Sequence, residues 1–381
     1  GLVVKKYVVE HPNNNYIKKA VFVGVPSTGA PNSVKALLQG DNLGVPGLND
    51  AEIKKISENM PAIYDLLPSQ QYYDTKGSYV TVIDQGFTGL NTTVKDLTHI
   101  ETNSFLTDGH GLNAMAVTNA ESLHTASFDN FDMRTAGIDV YAIDGCKAGT
   151  LGNITEVRSK GLLGQPVVNY KKPQMVPGDG TVPLESATNL PIDAGHKFYS
   201  LTGEHGKMLS QNGSRQQIVN IISGSTLAMD SGIITQNIDE CKLNGKAISV
   251  FSPVDIFVTD QNGNEMGLAS DGSIFNKIPN ADFQIWGSSS FAEASEDKHK
   301  FLYLPTDGGQ TYTISMDGTG TGTYTIKSDD IENNEVVKTA VFSNLPVTAD
   351  LTGTVNLGET TTLTVQETPG SAPQTILPSA V

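Results

Sequence analysis

Two short segments of this chain carry the residue types that acid–base chemistry needs. In Val176-Pro177-Gly178-Asp179-Gly180-Thr181-Val182-Pro183-Leu184 an aspartate stands between two glycines. A backbone of that kind can turn sharply and present a carboxylate from the end of a strand. In Ser200-Leu201-Thr202-Gly203-Glu204-His205-Gly206-Lys207-Met208-Leu209 a histidine follows an apolar, strand-like run and precedes a helical pattern. His205 lies 26 residues after Asp179. A histidine on such a turn is expected at the carboxyl end of a sheet, where α/β proteins place their sites. An imidazole held by a carboxylate can take a proton from a hydroxyl and return it to a leaving group. His196 stands at the start of the same run, the wrong end for catalysis, and is expected to be structural.

The elements that must position these two residues can be read from periodicity. Apolar runs at 19–25, 138–143 and 196–201 read as buried strands, and 33–38 and 215–222 as helices. Strands alternating with helices imply a parallel sheet covered on both faces, and an α/β fold class. The stretch between the first two strands is too long for a simple crossover. An inserted cap at about 48–134 is expected there, with helical pieces at 51–60 and 114–128. It is rich in Tyr64, Leu66, Leu67, Tyr72, Tyr73, Phe87 and Leu90. Such residues form the cap's own core or bury acyl chains over a site. His110 and His124 lie in it with no acidic partner at metal-ligand spacing.

Aspartate before histidine is the chain order of the second half of the α/β-hydrolase triad, Ser…Asp/Glu…His. Three segments make the likeness more specific. Gly24-Val25-Pro26-Ser27-Thr28-Gly29-Ala30-Pro31, Ile63-Tyr64-Asp65-Leu66-Leu67-Pro68-Ser69 and Gly178-Asp179-Gly180-Thr181-Val182-Pro183 resemble motifs of the lecithin:cholesterol acyltransferase-like branch of the α/β hydrolases. They resemble a strand-end Gly-Thr-Pro segment, a Leu-Leu-Pro-Ser lid segment and an acid-bearing turn, and His205 falls at that family's histidine. The resemblance covers residues 1–240 and implies the C-terminal part of an α/β-hydrolase domain acting on lipid or carboxylic esters, with no cofactor and no metal. It implies that Asp179 orients and His205 serves as base and then acid.

No Gly-x-Ser-x-Gly occurs in the chain. In the family that elbow ends in glycines just before the helix and strand with which this sequence opens. The attacking Ser is therefore expected upstream of Gly1, in the missing N-terminal half of the same domain. Such a part, tested alone, is expected to dimerise, aggregate or need its other half. Ser27 is a poor substitute, because Val25 stands where an elbow needs a small residue and Pro26 restricts the turn.

From residue 245 to 368 the texture changes to short alternating runs divided by Asn262-Gly263, Asp271-Gly272, Asp307-Gly308 and Asp317-Gly318. Such pairs favour the turns that join antiparallel strands, and an appended immunoglobulin-like β-sandwich is expected. The segment 260–265 reads as a hairpin turn, since a calcium loop would need a Glu at its twelfth position and flanking helices. The repeat 318–323 reads as a strand edge or hairpin, and 369–381 as a linker or tail.

The chain has 381 residues and a formal net charge of −16. That sign argues against nucleic acid as a partner. No apolar run approaches the roughly 20 residues that span a bilayer. Cys146 and Cys241 form one disulfide if the protein is exported, or remain two buried thiols. An extracellular location is expected from the resemblance to secreted hydrolases. The competing expectation is a non-catalytic secreted binding or adhesion protein built on a truncated hydrolase fold.

Overall fold

The computed structural model describes residues 1–13, 16–41, 50–85, 91–160, 164, 166–171, 173–225, 229–251, 253–269, 273–287, 298–358 and 360–380. Phe87, Leu90, Leu48 and the Asp271-Gly272 turn lie outside them. The chain opens with helix α1 (Leu2–Glu10), strand β1 (Lys19–Val23) and helix α2 (Asn32–Leu38). An insertion follows: α3 (Asp50–Ser57), α4 (Pro61–Tyr64), α5 (Gln70–Lys76), β2 (Val80–Asp84), β3 (Thr93–Asp96), α6 (His99–Ser104), α7 (Ala114–Leu123) and α8 (Ala126–Asp129). Three of its helices begin on side-chain caps that satisfy free N–H groups. Thr98 and Glu101 form a reciprocal capping box at α6, and Asn113 and Thr125 cap α7 and α8.

Next come β4 (Asp139–Gly145), β5 (Ala148–Lys160), β6 (Pro166–Tyr170), β7 (Gln174–Gly178), α9 (Leu184–Ala187), β8 (Lys197–Ser200), α10 (Asn212–Ser223) and β9 (Ile234–Thr235). The sheet that carries the site has the order β1-β4-β8-β9. Its first three strands are parallel and β9 is antiparallel. Alternation along β4 explains how both faces are covered. Val140 and Ala142 pack with Phe22 and with Val8 of α1, whereas Ile143 packs with Phe198 and with Ile221 of α10.

The expected strands and helices of this part are present with small shifts of boundary. The insertion is not purely helical, however. β2 pairs parallel with β5, β3 forms a hairpin edge on β2, and β6 flanks β5 on the other side. β7 pairs antiparallel with the start of β5. This long strand therefore fastens the inserted segment to the turn that bears Asp179. Gly149 and Gly152 lie within this strand. They are points of close approach, where an added Cβ would meet Tyr303 or Val176 at 2.4–2.5 Å.

The remainder is antiparallel. One sheet has the order β14-β15-β10-β17-β18 and the other β13-β12-β11-β16-β19-β20-β21. The strands are β10 (Gly245–Phe251), β11 (Val254–Asp260), β12 (Glu265–Leu268), β13 (Ile274–Asn276), β14 (Asp282–Gly287), β15 (Lys298–Pro305), β16 (Tyr312–Gly318), β17 (Gly322–Glu332), β18 (Glu335–Val347), β19 (Thr352–Asn356), β20 (Thr362–Gln366) and β21 (Gln374–Ile376). The two sheets share one apolar core, with Ile248, Leu302 and Phe342 on one side and Ile256, Ile314 and Leu363 on the other. The segment 260–265 is the β11–β12 hairpin turn, its backbone gathered by the Asp260 carboxylate. The glycine-rich 318–323 repeat is not a hairpin. It carries the chain from β16 in one sheet to β17 in the other. Residues 369–381 are not simply a tail, because β21 pairs with β20 and Ala380 bridges to Val341. That bridge shields an edge strand.

The β-rich part is not hung on a free linker. Trp286 and Phe301 share a core with Leu37, Leu151 and Tyr170, and Cys146 is disulfide-bonded to Cys241. The bridge encloses a loop with a sequence separation of 95, which contains both Asp179 and His205. Cross-linking a loop of that length restricts the unfolded chain by about 4–5 kcal/mol in the chain-entropy view. Replacing both cysteines by alanine is predicted to lower the urea midpoint by a stability of that order. A midpoint unchanged in the double variant would contradict this.

Candidate active site

Three strands end at one rim of the parallel sheet: β4 at Gly145, β8 at Ser200, and β7 alongside at Gly178. Asp179 follows β7 directly. Its Oδ1 accepts from the backbone N–H of Thr181 (3.0 Å) and of Val182 (2.7 Å). Gly180 makes this turn possible, since its φ of +87° suits glycine and its N–H donates to Thr150 Oγ1 at 2.9 Å. The other carboxylate oxygen, Oδ2, lies 2.8 Å from Nδ1 of His205. The backbone repeats the link, because His205 N–H donates to the Asp179 carbonyl at 2.8 Å. Asp179 is 2% exposed, whereas the His205 side chain is 40% exposed. The carboxylate is therefore sealed and the imidazole reaches solvent.

A carboxylate with both oxygens engaged as acceptors leaves Nδ1 as the donor. The remaining ring nitrogen, Nε2, then carries the lone pair. The hydrogen bond to Asp179, reinforced by its charge, raises the His205 pKa above the ordinary 6.5, against the opposing effect of burial. The arrangement can accept a proton from a nearby hydroxyl and stabilise the imidazolium that results.

Gly24 completes this wall. It has a φ of +55°, and a Cβ there would fall 2.6 Å from Asp179 Oδ2 and 2.4 Å from Met208 Cε. Only glycine lets the end of β1 approach the pair. The next residue, Val25, packs on the N-terminal end of α1, where a Cβ on Gly1 would stand 2.3 Å from the valine. The first turn of α1, with its unpaired N–H groups and positive dipole end, thus lies one residue away from the Asp–His pair. An open cavity of about 610 Å³ begins there. It is walled by Leu2, Val3 and Tyr7 of α1, by Val25 and Pro26, and by Ala62, Leu66 and Leu123 of the insertion.

The sequence reading missed Asp144, near the end of β4. It is 1% exposed, and its Oδ1 has no hydrogen-bond partner. Burial, together with the charge of Asp179, pushes its pKa up to about 8 against the pull of Lys197. An acidic residue inside the apolar run 138–143 and its continuation was the available signal.

The other singled-out residues lie elsewhere. Ser27 is buried and its hydroxyl donates to the Val25 carbonyl at 3.4 Å. His196 stacks on Tyr141 with ring centroids 3.9 Å apart. His110 and His124 each have one acidic neighbour. His110 Nε2 is 2.8 Å from Glu156, and His124 Nδ1 is 2.7 Å from Asp129. Glu156 comes from a distant strand, and Asp129 is brought back by the turn into α8, so ligand spacing did not show either. Among the described residues no group of three or more His, Cys, Asp or Glu is placed to hold a metal ion.

The family model described as Lecithin:cholesterol acyltransferase matches residues 3–136, which supports a lipase-type domain of that kind. The match runs from α1 through the insertion and ends before Asp179 and His205. No curated protein matches the chain.

The Asp144 carboxyl yields a stability prediction with a definite sign. Its folded pKa lies above its ordinary value of 3.8, so between about pH 4 and pH 8 the unfolded chain has released a proton that the folded chain retains. Stability contributed by the neutral acid is therefore lost as pH rises through that window. Asp144→Asn keeps the neutral shape and removes the loss. The variant is predicted to be more stable than wild type at pH 8, by up to a few kcal/mol, and nearly equal to it at pH 4. Parallel pH–stability curves for the two proteins would refute it.

Proposed function

We propose that this chain carries the acid–base half of a serine esterase or O-acyltransferase acting on lipid or carboxylic esters. The observation that carries the reading is the 2.8 Å contact between a sealed Asp179 carboxylate and a partly exposed His205. The lipase-type match over residues 3–136 supports the same class. In this reading the nucleophile is a Ser hydroxyl upstream of Gly1, delivered to the N-terminal end of α1. Support comes from geometry: the N-terminal end of α1 packs on Val25, next to the glycine that touches the pair.

The steps follow from the groups present. His205 Nε2 takes the hydroxyl proton as the oxygen attacks the ester carbonyl. Asp179 keeps Nδ1 protonated and balances the imidazolium charge. The positive end of the α1 dipole favours the developing oxyanion. The tetrahedral intermediate collapses when the imidazolium returns its proton to the leaving alcohol. Water or an acceptor alcohol, deprotonated by the same imidazole, then releases the acyl group. The apolar cavity beside Val25 would receive the acyl part. The antiparallel sheets, read as an immunoglobulin-like sandwich, brace the acid turn through Tyr303 and the Trp286 core. The disulfide favours an exported protein, and among the described residues no helix is long and apolar enough to cross a membrane.

The test is turnover of short and long p-nitrophenyl esters by the intact protein. Asp179→Asn and His205→Ala are each predicted to lower kcat about 10³-fold or more with folding unchanged. In wild type the acid limb of kcat/KM should lie above pH 6.5, because Asp179 raises the His205 pKa. In the residual activity of Asp179→Asn that limb should move to lower pH. Turnover indifferent to both substitutions would refute this reading, and no turnover in wild type would favour the non-catalytic binding protein instead.

A further inference from the structure

Away from the Asp–His pair, a buried histidine links two walls of the apolar cavity, α1 and the insertion. His124, in the turn between α7 and α8, is 8% exposed and bonded at both ring nitrogens. Nδ1 lies 2.7 Å from Asp129 Oδ1, and Nε2 lies 2.9 Å from the carbonyl oxygen of Asp65. A carbonyl only accepts, so Nε2 must carry hydrogen. The Nδ1 contact then requires a second proton, held on the ring or on the carboxyl. Asp129 is itself 1% exposed, and its backbone carbonyl accepts from Lys5 Nζ at 2.8 Å. Lys5 is a buried lysine of α1, and its ammonium group sits 4.9 Å from the centre of the Phe128 ring.

The network is continuous with the cavity walls, although of its members only Asp65 lines the cavity itself. Lys5 lies on α1 beside Leu2, Val3 and Tyr7. Asp65 adjoins Leu66 and itself lines the cavity, and Leu123 precedes His124. A polar network buried this deeply holds its partners in one arrangement only when all its members are paired. Apolar packing alone would let these elements slide, whereas two directional bonds from one rigid ring fix α8 against the α4 segment, and the Lys5 ammonium ties α1 to the same Asp129.

We propose that His124, clamped by Asp129 and the Asp65 carbonyl, is a positioning residue that sets the width of the apolar cavity and thereby its preference for long acyl chains. The proposal rests on the reading of that cavity as the acyl site. It assigns His124 no contact with reacting atoms. Its effect is on the fit of distal methylenes, each of which adds to affinity only while both walls touch it.

The experiment measures binding of cis-parinaric acid, an eighteen-carbon fluorescent fatty acid, and of butanoic acid as a short, non-hydrolysable competitor. It compares wild type with His124→Phe, which keeps a ring but cannot bridge, and with Asp129→Asn, which weakens the clamp while leaving the ring in place. We expect the Kd for cis-parinaric acid to rise about tenfold in His124→Phe, equivalent to roughly two methylenes no longer buried. A smaller rise is expected in Asp129→Asn. The short competitor should bind within twofold of wild type in both. Far-UV circular dichroism identifies any variant that does not fold, and Asp129→Asn then decides alone. An equal loss for long and short ligands, or no change for either in folded protein, overturns the proposal. So does a wild type that does not bind cis-parinaric acid. Turnover provides the separate check. A chain-length effect of His124 with no dependence on Asp179 and His205 would keep the clamp and refute the esterase reading. The reverse pattern would refute the clamp alone.

Discussion

The constraint on which the site depends is the full engagement of one carboxylate. Asp179 spends Oδ1 on two backbone N–H groups of its own turn and Oδ2 on His205. A buried carboxylate left with an unfilled acceptor would be driven toward its neutral form, and would then no longer fix the imidazole. The turn solves this locally, through the Gly180 conformation and the hydroxyl of Thr150 on the neighbouring strand. Asp144 shows the contrast within the same rim. With an oxygen unpaired and Asp179 close by, it is held neutral near physiological pH. The two acids differ in their surroundings: Asp144 has an orphaned oxygen, whereas Asp179 has both oxygens bonded.

Much of the remaining architecture braces that turn. β5 begins beside it, pairs with β7, and runs on to hold β2 and β6. Tyr303, from the central antiparallel sheet, presses on Gly149 from the other side. The Cys146–Cys241 bridge closes the loop that contains both members of the pair. The antiparallel sheets are thus continuous with the α/β core, through Trp286 and Phe301 as much as through the covalent link.

The parts legible in the sequence are those dictated by local rules. The strands β1, β4 and β8 are dense in apolar and β-branched residues, and their alternation with helices identifies a covered parallel sheet. Asp179 was visible because it is flanked by glycines, and His205 because it follows a strand. What stayed hidden was set by distant contacts. Strand β5 is interrupted by Gly149 and Gly152, whose role is to admit Tyr303 and Val176, and no pattern within the strand records those neighbours. His124 finds a carbonyl 59 residues away in sequence. Asp144 looked like an ordinary strand residue, because its significance lies in its distance from Asp179.

The central claim is that Asp179 and His205 activate a hydroxyl delivered from the N-terminal end of α1. It is tested most directly by treating the intact protein with a p-nitrophenyl alkylphosphonate, a reagent that phosphonylates activated serines, and locating the label by peptide mass spectrometry. The account predicts one labelled Ser upstream of Gly1, with labelling abolished in His205→Ala. A label on Ser27, or labelling unaffected by the loss of His205, would contradict it.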